Sequence, residues 1–211
     1  MVEEISYITS GVLFGVVAGF MPSPLTTLVI METLRHNKRQ GAIVAVAPII
    51  TDVPIILVSL FVLAGLSEFN AALGAISLIG ALFLSRLAFN TFTAKGVELD
   101  LQDIRPDSLK KGIITNFLNP NPYLFWATVG GPIILKAYGV SWFAVAGFFG
   151  AFFFFLVVIK MLLAVIVEHC KAFMTSRTYV YILRGMGIML LAFAALFFRD
   201  GFRLLGVMEL F

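Results

Sequence analysis

The chain has 211 residues, of which 60% are apolar and only 13% charged, and its mean hydropathy is +1.01. No aqueous domain covers such a composition with polar surface, so lipid has to be part of the solvent. The net charge of +3 and pI of about 9.1 read as loop charges that orient a membrane protein, not as an affinity for nucleic acid, and the single Cys170, read as a small core or interfacial residue, excludes an internal disulfide or a CxxC metal or redox site.

In hydrocarbon every backbone N–H and C=O needs an internal partner, which leaves helices or a closed barrel. The apolar runs are far longer than the roughly 9–11 residues of a barrel strand. Six spans are expected, over about 5–34, 41–66, 70–92, 112–135, 141–168 and 178–199. The first follows Met1-Val2-Glu3-Glu4 with no basic leader and no cleavage signal, so it reads as a retained span. Arg184 and Gly185 weaken the start of the last, which leaves open a five-span variant with that segment on the surface. The longest connection, residues 93–111, is a charged loop that divides the chain into halves of three spans, 1–92 and 112–211. Nine Lys/Arg lie on one side, in the loops after spans one, three and five, against Lys136, Arg199 and Arg203 on the other. The positive-inside rule puts the nine in the cytoplasm and both termini outside.

The two halves share a pattern. Pro22-Ser23-Pro24 in span one recurs as Pro120-Asn121-Pro122 in span four, and each second proline is followed 17 residues later by a glycine, Gly41 and Gly139. Three spans per half is an odd number, so the second half enters the membrane in the opposite sense. The expected fold is an all-α integral membrane protein built from two inverted three-helix repeats with proline-broken helices one and four, a recurring plan of secondary transporters.

Each Pro-x-Pro removes two backbone donors and drives the preceding residues out of the α region. A packing kink is the plain explanation. The doublets, however, stand beside Ser23, Thr26 and Thr27 in one case and Asn116, Asn119 and Asn121 in the other, and the restarted helices would aim free N–H groups at an anionic group. Asp52 follows Thr51 near the middle of span two, between Pro48 and Pro54. A mid-bilayer carboxylate costs at least ~2.5–3.5 kcal/mol on insertion scales, so it should face the interior and be paired, hydrated or protonated. That suits a group exchanging a proton for a cationic substrate group, although a scaffold role beside Lys or Arg is the competing reading. Lys160, deep in span five, is the candidate counter-ion for Asp52 or for a substrate carboxylate. Arg86 and Arg184 are placed where they can snorkel to headgroups, and Glu32 reads as interfacial. His36 and His169 have no second ligand at helical spacing, so no metal site is expected. No cofactor is expected, and without GxSxG, HExxH or a Gly-Lys-Ser/Thr phosphate loop neither hydrolase nor ATP-driven pump is indicated.

Gly15-Val-Val-Ala-Gly19-Phe-Met-Pro22-Ser-Pro24, the turn Arg35-His-Asn-Lys-Arg39-Gln-Gly41, the polar centre Thr51-Asp52, and Asn119-Pro120-Asn121-Pro122-Tyr-Leu-Phe125-Trp126 together resemble the lysine exporter (LysE) family of amino-acid exporters. The resemblance covers nearly the whole chain. It departs from the family in having Pro-Ser-Pro for Pro-Gly-Pro and Thr51 where many members have Gly. It implies efflux of amino acids or related compounds across the cell membrane, driven by the proton motive force, by a protein working as a homodimer. The candidate substrate site then comprises Asp52, Thr51, Pro22, Ser23, Pro24, Thr26, Asn119, Pro120, Asn121, Pro122 and Lys160. A metal or inorganic-ion permease, and a non-transporting membrane assembly subunit, are the competing functions.

Overall fold

The computed structural model describes residues 2–62, 66–92, 106–171 and 176–206. Every described element is helical. Helix α1 runs Val2–Phe20, α2 Pro24–Arg35, α3 Lys38–Ala45, α4 Ala47–Val62 and α5 Leu66–Phe92; α6 runs Ser108–Phe117, α7 Pro120–Phe125, α8 Gly131–Val140, α9 Trp142–Lys171 and α10 Ser176–Leu204. A π-helical turn, Trp126–Gly130, joins α7 to α8. Most of the 93–111 loop lies outside the described residues, and α6 begins within it, at Ser108.

Among the described residues three helical stretches, 38–59, 142–171 and 180–204, are long and apolar enough to cross a membrane. The α1–α2 pair, bent by 59°, makes a fourth if taken as one span. The expected fourth span instead falls into short pieces, α6, α7, the π turn and α8, none of which has the length by itself.

Both proline doublets sit where helices restart. Chain direction changes at Met21-Pro22-Ser23, and Ser23, in extended geometry (φ −154°, ψ 163°), caps α2 by accepting from Thr26 N at 3.2 Å. Pro24 is then first in the helix, where its missing N–H has no cost. Asn119 repeats the device, its Oδ1 accepting from Asn121 N at 3.0 Å ahead of Pro120. The shared glycines do not share an environment. Gly41 is packed so tightly that a Cβ would collide with Thr33 Oγ1, whereas Gly139 is exposed in open space.

The exterior is apolar and the interior carries the polar groups, inverting the soluble pattern. Leu13, Val17 and Phe20 of α1 and Phe154, Leu162 and Ile166 of α9 are exposed, while Thr51, Asp52, Ser108, Asn116, Asn119 and Lys160 are buried. Arg86 and Arg184 are exposed on α5 and α10, and Cys170 is exposed near the end of α9. The most extensive helix pairings are α1 with α9 and α5 with α10, each joining one half of the chain to the other. On α1 the close approach needs glycine, because a Cβ on Gly11 or Gly15 would strike the Phe148 or Phe152 carbonyl oxygen of α9.

Glu32, expected at the interface, is fully buried near the end of α2. Its Oε1 accepts from Lys111 Nζ at 2.8 Å, its Oε2 accepts from Ser108 Oγ, and His36 Nε2 stands 3.8 Å from Oε2. The start of α6 folds over the end of α2 and closes on it with an ion pair.

Candidate functional site

Asp52 lies in the middle of α4, 4% exposed. Two helical pieces from the second half of the chain converge on it. From α6, Asn116 Nδ2 donates to Asp52 Oδ1 at 2.8 Å and to Thr51 Oγ1 at 2.6 Å. From the π turn, Trp126 Nε1 donates to Asp52 Oδ2 at 3.2 Å. Thr51 Oγ1 lies 3.5 Å from Oδ1, but its one proton has a better acceptor in Ala47 O at 3.0 Å. The carboxylate therefore has two good donors, both neutral, and no ion pair with any described residue.

The break before Pro120 is what brings these groups to one place. Asn119 takes the Asn121 N–H for its cap, which frees the Phe117 carbonyl that Asn121 would have served; Tyr123 Oη donates to it at 3.1 Å. Ser59 Oγ on α4 donates to Tyr123 O at 3.3 Å, pinning the restarted helix against the helix that carries Asp52. The indole of Trp126, 1% exposed, is set in aromatic rings, with centroids 5.0 Å from Phe125, 5.1 Å from Phe152 and 5.8 Å from Phe149. Such dry surroundings leave the charge of Asp52 poorly screened.

Lys160, 2% exposed, belongs to the other break. Its Nζ donates to Thr26 Oγ1 at 2.7 Å and to Gly19 O at 3.4 Å. Gly19 O is a carbonyl that the end of α1 leaves without its helical partner. No ion pair joins Lys160 to Asp52, so Lys160 is not the counter-ion of that acid. The ammonium has three donors and meets two neutral acceptors.

The candidate residues thus divide. Thr51 and Asp52 form one cluster with Asn116; Lys160, Thr26 and Ser23 form a second, in which Ser23 Oγ and Thr26 Oγ1 are 3.0 Å apart. Ser23 and Asn119 act locally as caps, and Pro22, Pro24, Pro120 and Pro122 shape the breaks. Asn121 is exposed and contributes its backbone N–H to the cap. Sequence reasoning missed Trp126 as a partner of Asp52. The available signal was an indole N–H in an apolar run, four residues before Gly130-Gly131-Pro132, where regular helix geometry is in doubt. Among the described residues no three His, Cys, Asp or Glu side chains converge as metal ligands would.

Apolar helices with an interior acid and an interior base, each beside a helix break, define a polytopic membrane protein with polar sites inside the bundle. The LysE type translocator family matches residues 16–201, and the chain belongs to that family, which makes it a membrane translocator. No curated protein and no solved structure matches it.

Proposed function

We propose that this protein is a secondary exporter of amino acids or related small solutes, driven by the proton motive force. Asp52 binds the substrate ammonium and a proton in alternation, and Lys160 receives the substrate carboxylate. The observation that carries the reading is the burial of Asp52 with neutral donors alone: an interior acid without a counter-charge has capacity for one cation or one proton at a time. Lys160 is its mirror image, a buried cation on neutral acceptors, beside the restarted N-terminus of α2, which favours negative charge. Family membership supports solute translocation.

The transporter is a multi-pass protein of the cell membrane with six spans in two inverted repeats, both termini outside, and works as a homodimer. The loop charges support the orientation; a cysteine at Lys38, in a Cys170→Ser background, should label only from the cytoplasmic side. The ion-permease alternative needs convergent acids, and among the described residues none converge. The functional test is proteoliposomes loaded with labelled amino acids and inorganic cations, with efflux followed with and without a pH gradient. Gradient-stimulated efflux of at least one amino acid is expected. Efflux indifferent to the gradient removes proton coupling, and efflux of cations alone removes the amino-acid reading.

A further inference from the structure

We propose that Trp126, set by the π-helical turn Trp126–Gly130, is the positioning residue for Asp52: its indole N–H fixes Oδ2 and biases the carboxyl group toward its ionised, substrate-receiving form. This rests on the reading of Asp52 as the coupling group, and it adds a residue and a backbone device that the coupling itself does not require.

The geometry is specific. A regular α turn places successive side chains 100° apart, and a π turn adds a residue, which rotates the next stretch of helix about its axis and is a recurrent feature of functional sites. Here the turn begins at the tryptophan that reaches Asp52. Gly130 closes it, and a Cβ at Gly130 would run into the Cε3 and Cζ3 edge of the indole. The ring is thus held by Phe125, Phe149 and Phe152 on its other sides and by the bare backbone of Gly130, with its N–H aimed at the acid. An indole is a donor only. It stabilises a carboxylate oxygen and offers nothing to a carboxylic O–H, so its contact favours one protonation state, unlike an amide, which serves both.

Other titratable groups on the elements around this site are Tyr123 on α7, Lys110 and Lys111 on α6, Lys136 and Tyr138 on α8, Lys38 and Arg39 on α3, and Lys160, Glu168, His169, Cys170 and Lys171 on α9, the helix that packs on the indole. Tyr123 is tied by its Oη to the Phe117 carbonyl. The Asp52→Asn variant decides whether a pH response of the indole belongs to Asp52 or to another of these groups.

The chain has two tryptophans, and Trp142 is 71% exposed at the start of α9. A Trp142→Phe variant thus makes Trp126 the sole indole. Its emission should titrate across the pH range in which flux changes, and adding Asp52→Asn should abolish the titration. In transport, Trp126→Phe keeps the aromatic packing and deletes the donor; the acid limb of its flux–pH profile should move to higher pH by about half a unit or more, with maximal flux within roughly threefold of wild type. Gly130→Ala should move the profile the same way. An emission that ignores pH, or a Trp126→Phe profile superimposable on wild type, overturns the proposal. If Asp52→Asn keeps gradient-driven flux, the coupling reading falls separately, and the titration of the indole still decides whether Trp126 holds Asp52.

Discussion

Glu32 and Asp52 are both buried carboxylates, at 0% and 4% exposure, but Glu32 has the ammonium of Lys111 against it while Asp52 has only Asn116 and Trp126. A buried acid with its own cation is balanced before any ligand arrives, and removing one partner is expensive because the other is left uncompensated. A buried acid on neutral dipoles is held in place but not neutralised. The first arrangement is a clasp between the end of α2 and the start of α6; the second leaves the carboxylate on two neutral donors, which is what the proposed coupling role requires. Position in an apolar helix does not separate the two roles, whereas the partner does.

The comparison breaks most visibly under amide substitution. Asp52→Asn retains shape and a hydrogen-bonding oxygen but holds neither a proton nor an ammonium, and gradient-driven flux at matched density should fall at least about tenfold, some 1.4 kcal/mol in the barrier. Glu32→Gln should do the reverse, retaining flux per folded molecule within roughly twofold while lowering stability in detergent by about 1–3 kcal/mol, since Lys111 and Ser108 lose an ionised acceptor. Normal gradient-driven flux in the Asp52→Asn protein, or collapse of flux in stable Glu32→Gln, would falsify the assignment of roles.

Lys160→Met sharpens the same contrast from the cationic side. If Lys160 receives the substrate carboxylate, the variant should need about tenfold more amino acid for half-maximal flux and should cease to discriminate an amino acid from its decarboxylated amine. Unchanged discrimination in a folded variant would return Lys160 to a scaffold role at the α1–α2 break.

The smallest expected effect lies beside the clasp. Burial is the main cause holding His36 below the usual 6.5, with Lys111, Arg35 and Lys171 acting the same way and Glu32 opposing. Its folded pKa is depressed, so protonation favours the unfolded chain: stability is full above pH 6.5 and declines as the pH falls through the folded value. His36→Gln should flatten that decline between about pH 7 and 5 without altering flux, as a thermal-stability series would show.

How much of this was legible in the sequence depended on whether the signal was local. Asp52 stood out because an acid in an aliphatic run is costly wherever it points, and the helix breaks could be read because proline lacks a donor. The burial of Glu32 was not legible because its partners, Ser108 and Lys111, lie 76 and 79 residues away and only tertiary folding brings them over it. Lys160 is buried but is not the partner offered for Asp52, since hydropathy does not say which break a helix faces. The π turn has no apolar period of its own, and without it the indole had no direction. The Gly41–Gly139 match supported a repeat by spacing, yet the two positions differ in packing, so spacing carried more of that inference than environment did.

The glycine-faced seam between α1 and α9, with the pairing of α5 and α10, has a consequence for biogenesis. Both partners of each pair are made far apart in time, because α1 and α5 leave the ribosome well before α9 and α10 exist. During that interval the Gly11 and Gly15 face of α1 can pack only on lipid, which cannot fill a groove shaped for the Phe148 and Phe152 backbone. Contacts among α2, α3, α4 and α6 involve only helices made earlier, but both seams close when the last two helices enter, so a truncation before α9 should insert yet leave the α1 and α5 faces unpaired.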